Sequence, residues 1–237
     1  MHLLMFVLTL QQPPIRSGED VIRAMHDRYA GKWYTTLDFV QYNTATKADG
    51  TQEHSVWHEY ARIPGRLRID FVPADSGNGL LFANDSEYVR QRDTLAHAEA
   101  LIHPLMVLGF DVYAQPVTTS IAKLRALGID LSVVHEDTWE GRPVYVVGAA
   151  AGDLRTRQFW IEKERLVFVR LLEPGRRDTT RVNETRFENY RSVKSAWVSP
   201  RVEFLVEGRQ VWLEEYDAIT TGRRLADSLF TAPRPKP

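Results

Sequence analysis

Seven histidines, His2, His26, His54, His58, His97, His103 and His135, are the first places to look for acid–base or metal chemistry in this chain of 237 residues. His54 and His58 fall on one face of the same predicted strand, about 13 Å apart at the rise of extended chain, too far to share a metal. Trp57-His58-Glu59 is not a metalloprotease spacing, and no HExxH occurs. His97 and His103 flank an apolar stretch with Glu99 between them, a pattern of surface or capping side chains rather than ligands. Zero cysteine removes thiol catalysis, thiolate zinc sites and iron–sulfur clusters together. It says little about compartment.

Other catalytic devices are equally scarce. No G-x-S-x-G occurs for a serine nucleophile. Gly77-Asn78-Gly79 has no helix after it, and the lysine of a phosphate-binding loop is missing. Carboxylates are abundant, which leaves a paired acid/base site open. Glu214, Glu215 and Asp217 on one strand read as its solvated face. Arg176, Arg177 and Arg181, offset by Asp178 and Glu184, read as a solvated hairpin, with binding to an anionic head group as the other reading. The 30 basic and 31 acidic side chains give a net charge of −1, which argues against a nucleic-acid partner.

What remains is apolar and aromatic, and its periodicity says which elements must position it. Ser17-Gly18-Glu19-Asp20 is a capping box opening a helix, with Val21, Ile22, Met25 and Tyr29 on one face and Gly31 as its stop. From Trp33 the period becomes two, with Trp33, Thr35, Leu37, Phe39 and Gln41 sharing a face. Further strands are predicted at about 52–62, 66–71, 80–83 and 87–92. The stretch 96–110, carrying Leu101, Leu105, Met106 and Leu108 with Pro104 near a helix start, predicts a second helix. A third runs over 118–127, stopped by Gly128. Strands resume at about 130–138, 142–148, 155–162, 166–172, 179–190, 196–206 and 210–220, with Gly141, Gly152, Gly175 and Gly208 in the gaps.

Short strands joined by tight turns predict antiparallel neighbours. The fold class is therefore α+β, with about eleven strands in one strongly curved antiparallel sheet that wraps toward a half-open barrel. The open mouth is where the helices can bury their apolar faces, as a lid. A length of this order buries about 70% of its unfolded surface and needs no staple. Trp33, Leu37, Phe39, Ile69, Phe71, Leu105, Met106 and Leu108 are the candidates to line a cavity between sheet and lid. For any one of these residues a filled core is the simpler reading, and composition does not separate the two.

The run MHLLMFVLTL at 1–10 is too short to span a bilayer, which takes about 20 apolar residues. It has the length of a secretory h-region, yet lacks a basic n-region and a small-x-small cleavage site. Residues 1–16 are thus expected to be a truncated signal peptide or a disordered arm, 17–233 the folded domain, and 234–237 a tail.

Several segments, in order, carry a family resemblance. They are the helix ending in Tyr29; Phe39-x-Gln41; Tyr60-Ala61-Arg62-Ile63-Pro64-Gly65-Arg66-Leu67-Arg68-Ile69-Asp70-Phe71; the hairpin from Leu80 to Val89 around Asn84-Asp85; Gln158-Phe159-Trp160-Ile161 with Val167 to Arg170; and Asp227-Ser228-Leu229-Phe230 through Pro233. Together they resemble the LolA/LolB-like superfamily of outer-membrane lipoprotein-sorting (lipoprotein carrier) proteins, over roughly residues 17–233. The resemblance implies a half-open barrel of eleven strands, a helical lid, an apolar cavity for acyl chains of a lipoprotein or lipid, a periplasmic location and no cofactor or metal. It also implies a non-enzymatic monomer that moves cargo toward the outer membrane between a donor in the inner membrane and an acceptor in the outer. The family's basic residue stands directly before the proline and latches lid to sheet. Here Ile63 occupies that place, leaving Arg62 or Arg68 as the latch. Two other readings stay open: an envelope sensor or interaction protein on the same fold, and a hydrolase using scattered carboxylates and histidines.

Overall fold

The computed structural model describes residues 14–176 and 178–234. Most of the expected leader or arm at 1–16, Arg177 of the basic cluster and most of the tail at 234–237 lie outside the described residues.

The capping box forms as its residues dictate. The Asp20 amide donates to Ser17 Oγ (3.3 Å) and the Ser17 amide to the Asp20 carboxylate (3.0 Å), starting helix α1 (Gly18–Tyr29). Its face of Val21, Ile22 and Met25 is fully buried.

Fifteen strands follow among the described residues. Six run in succession: β1 (Thr36–Thr46), β2 (Gln52–Arg62), β3 (Arg66–Phe71), β4 (Gly79–Ala83), β5 (Ser86–Gln91) and β6 (Thr94–Ala100). Two helices then intervene, α2 (Pro104–Gly109) and α3 (Val117–Ala126), with a single tight turn of helix at Asp111–Tyr113 between them. The second run is β7 (Val134–Trp139), β8 (Arg142–Val147), β9 (Gln158–Glu162), β10 (Val167–Pro174), β11 (Val182–Glu188), β12 (Arg191–Val193), β13 (Ala196–Val198), β14 (Arg201–Val206) and β15 (Arg209–Thr221).

Thirteen of these make one antiparallel sheet in the order β6-β5-β4-β3-β2-β1-β15-β14-β11-β10-β9-β8-β7, and β12–β13 form a separate hairpin. The first run meanders from the middle to one edge. The second starts at the other edge and meanders back, until β15 closes on β1 from Leu37↔Thr221 to Ala45↔Trp212. The sheet stays open between β6 and β7, and α2 and α3 lie in the connection between those edges, as a lid. Bulges in the β1–β15, β9–β10 and β14–β15 pairings supply the local twist that bends a sheet this wide.

Two expectations need correction here. The sheet has thirteen strands rather than about eleven. The stretch 96–110 is not one helix: its first part is strand β6, pairing with β5 from Gln91↔Thr94 to Ser86↔Ala100. Ala96, His97, Ala98, Glu99 and Ala100 are exposed, the small and charged composition that keeps a sheet edge from aggregating. Pro104 sits at the first helical position, where its fixed φ starts a helix while pushing His103 into extended backbone. What is left for α2 is six residues.

Alternation along the strands sorts the two faces. Leu37, Phe159, Ile161 and Phe168 point inward and pack with α1, Val107, Leu108 and Leu124. The opposite parity builds two outer clusters. Val144, Val146, Trp160, Val167 and Val169 form one, against Trp139, Tyr190 and Trp197. Leu81 and Ala83 form the other, covered by Leu225 and Phe230 of the C-terminal segment.

Candidate functional site

Between the inner face of the sheet and α2 lies a cavity of about 310 Å³. Leu37 and Phe39 of β1, Ala61 of β2, Leu67 and Ile69 of β3, and Leu80 and Phe82 of β4 form its wall. Leu105, Met106 and Phe110 form its roof, and Phe187 and Phe204 face it from β11 and β14. The hollow follows from lengths. A six-residue helix is about 9 Å long, too short to fill the mouth of a thirteen-stranded bowl. A second hollow of about 420 Å³ shares Phe82, Glu87, His103, Leu105 and Phe204 with the first. It is bordered by Glu173, Arg176, Asn183 and Glu184, so the apolar cavity leads to a polar mouth.

One part of the cavity wall is not apolar. Gln41, Trp57, Glu59, Glu214 and Tyr216 line it where β2, β1 and β15 run side by side. Tyr216 stacks on Phe39 with centroids 4.2 Å apart and donates its hydroxyl to Glu214 at 2.9 Å, and Trp212 Nε1 donates to the same carboxylate at 3.2 Å. Burial pushes the Glu214 carboxyl up to about 7 despite these donors. Glu59 lies well above the usual carboxylate range, from burial first and from the neighbouring Glu214 second. Gln41 donates to Asn43 Oδ1 at 2.7 Å, and the buried Asn43 Nδ2 has no partner among the described residues.

The lid carries its own ionisable groups. Asp111, almost fully buried, accepts a 2.8 Å hydrogen bond from the Gly65 amide in the β2–β3 turn, where φ is +82°. Burial raises its carboxyl to about 6 against that donor. Lys123 of α3 pairs with Asp85 in the β4–β5 turn. His103, in edge contact with Phe82 at 4.9 Å, is pushed down to about 4 by burial and is neutral at ordinary pH. No group of three or more histidine and acidic side chains able to hold a metal occurs among the described residues.

No sequence-family model and no curated protein matches the chain. Solved structures do. A LolA superfamily protein from Nitrosomonas europaea superposes with a TM-score of 0.55 at 11% identity, covering 89% of this chain and 97% of that one. A domain described as a putative outer membrane lipoprotein-sorting protein, from Vibrio parahaemolyticus, gives 0.59 at 10% identity over 90% and 95%. The chain has the LolA-like fold. A DUF1329 family protein from Desulfovibrio piger shares it, with a TM-score of 0.59 at 14% identity over 90% of this chain and 95% of that one.

Within this LolA-like fold, Leu37, Phe39, Ile69, Leu105 and Met106 of the candidate lining come together on the cavity. Three others do not. Strand β1 begins at Thr36, so Trp33 lies in the turn after α1, stacked on Tyr113 with centroids 3.8 Å apart. Leu108 points into the closed core beside α1 and is fully buried. Phe71 packs on Trp57 at 5.1 Å, and it is Trp57 that faces the cavity.

The arginine latch is also corrected. Arg62 donates to Asp227 and to the Leu225 carbonyl, each at 2.7 Å, and lies over the Phe230 ring at 4.8 Å. Arg68 grips Asp70 at 2.9 Å and reaches the Leu229 carbonyl at 3.4 Å. Both strap the C-terminal segment to the outer face, because they alternate with inward-facing Ala61, Leu67 and Ile69. Asp111 and Lys123 hold the lid instead. The expected solvated face of β15 needs a correction too: Glu215 and Asp217 are exposed, while Glu214 turns into the cavity.

Proposed function

We propose that this protein is a carrier that shields the acyl chains of a lipid or lipoprotein in its apolar cavity. No bond is made or broken in that task. The observation that carries the reading is a hollow walled by Leu37, Phe39, Ile69, Leu105 and Met106, roofed by a short helix and open toward a polar mouth. Each methylene moved from water into such a site is worth about 0.8 kcal/mol, so even a partly enclosed chain is held firmly. Release then requires a lid that opens, or a partner that binds the open state better than the closed one. Two short contacts between lid and sheet rim, Asp111 to Gly65 and Lys123 to Asp85, are what such an opening breaks.

The names of the structural relatives support work in the bacterial envelope, and the apolar run at 1–10 supports export. On this reading residues 17–233 act as one binding unit in the periplasm. It works as a monomer, taking cargo from an inner-membrane donor and delivering it toward an outer-membrane acceptor. Native mass spectrometry of protein purified gently from its own envelope tests the proposal. A bound lipid or acylated mass is the expected result. A clean unliganded mass that rejects added fatty-acyl ligands overturns it.

A further inference from the structure

Glu59 is only 5% exposed, and its carboxyl opens onto the cavity with no hydrogen bond or ion pair to another described residue. Buried polar groups are otherwise almost always paired, and an unpaired one calls for an explanation. Across β1, Glu214 faces the same space, with Tyr216 and Trp212 of its own strand as donors and the Gln41 amide of β1 beside it. Two carboxyl groups therefore face one oily cavity, near enough for Glu214 to act on Glu59. Their surroundings are Phe39, Gln41, Asn43 and Trp57, with no basic side chain among them. The other ionisable groups on the cavity are Arg66 at the β2–β3 turn, Glu87 on β5, and His103 and Asp111 in the lid segment. Of these, His103 is neutral and Asp111 is occupied by Gly65. Arg66 pairs with Arg62 at the far end of the β2–β3 ladder, and neither acid is lowered by a basic neighbour: burial and Glu214 raise Glu59, and burial raises Glu214.

We infer that the carboxyl pair Glu59–Glu214 is a head-group site, taking an amphiphile whose acyl or alkyl chain fills the cavity and whose ammonium group lies between the two acids. This rests on the chain-binding reading above and specifies what the chain is attached to. A purely hydrocarbon occupant would leave both acids facing apolar matter. An anionic head group would find no basic side chain beside the two acids, and whatever charge they carry would repel it. An ammonium supplies N–H donors to Glu59 and the positive charge the pocket lacks. Because burial raises both carboxyls above the usual carboxylate range, an ammonium that pairs with a carboxylate there expels protons as it binds.

The test compares dodecylamine, dodecanol and dodecanoate, which share a chain and differ in head, by calorimetry near pH 7 on the full chain. The expected result is dodecylamine binding at least about tenfold more tightly than dodecanol, with dodecanoate weakest, and release of about one proton per amine bound. Repeating the titration in buffers of different ionisation enthalpy counts that proton. In a Glu59→Gln/Glu214→Gln variant the amine and the alcohol should bind within about twofold of each other. The preference should also grow in the unmodified protein from pH 6 to pH 8, a readout that needs no variant to fold. Equal affinity for amine and alcohol, with no proton released, overturns the head-group site and leaves the chain-binding reading standing. Failure of all three ligands to bind overturns both.

Discussion

Glu214 shows what a single buried carboxyl does to the molecule. Its folded value of about 7 against 4.5 for an exposed glutamate means the folded state holds the proton more tightly than the unfolded state. Its contribution to stability is fully present below about pH 4.5 and is lost as pH rises through about 7. A Glu214→Gln variant removes that loss. Unliganded, it should be less pH-sensitive over this window and more stable than the parent at pH 8, by at most about 3 kcal/mol, as measured by urea unfolding at pH 5 and pH 8. An unchanged difference between the two pH values would contradict the assignment. None of this is visible in the residue triplet Glu214-Glu215-Tyr216, because period-two alternation says only that neighbours face opposite ways. Which way is inward depends on the strand's partners. For Arg62 and Arg68 the same alternation was decisive: once Leu67 and Ile69 point inward, Arg68 between them must point out, which rules it out as a latch to the lid.

At the scale of elements, the lid and the C-terminal strap are held by different contacts and should fail separately. Asp111→Ala removes the acceptor for the Gly65 amide. With a hydrogen bond worth about 1 kcal/mol, amide exchange in α2 and the turn at Asp111–Tyr113 should quicken about fivefold, while Asp111→Asn, which keeps an acceptor, should stay near the parent rate. Arg62→Ala should instead release the segment carrying Leu225 and Phe230. The expected loss is about 1–2 kcal/mol in urea unfolding, with lid exchange unaltered. The ion pair to Asp227 adds little to that figure, since Asp227 is exposed. Faster lid exchange in Arg62→Ala would restore the arginine latch. Most elements were legible in the sequence, because Gly and Asx turns bracket period-two runs. The exception, helix for strand at β6, arose where an edge strand of alanine, histidine and glutamate carries no apolar alternation to read. Ser199-Pro200 likewise divides what reads as one strand over 196–206 into β13 and β14.

For the whole molecule, the bowl was legible and the hollow was not. A long series of short antiparallel strands has to curve, and three short helices have only its mouth to occupy. Whether Leu37, Phe39, Ile69, Leu105 and Met106 meet side chain to side chain or enclose space depends on how far α2 reaches. Composition carries no signal for that, since the lining of an oily pocket and a packed core use the same residues. The central claim is that this space is largely apolar, opens at a polar mouth and is able to take a hydrocarbon chain. A series of straight-chain alcohols from octanol to tetradecanol measures it directly. Affinity should rise about fourfold per added methylene, the equivalent of about 0.8 kcal/mol, and level off once the chain outgrows the cavity. A series that is flat throughout would contradict the account.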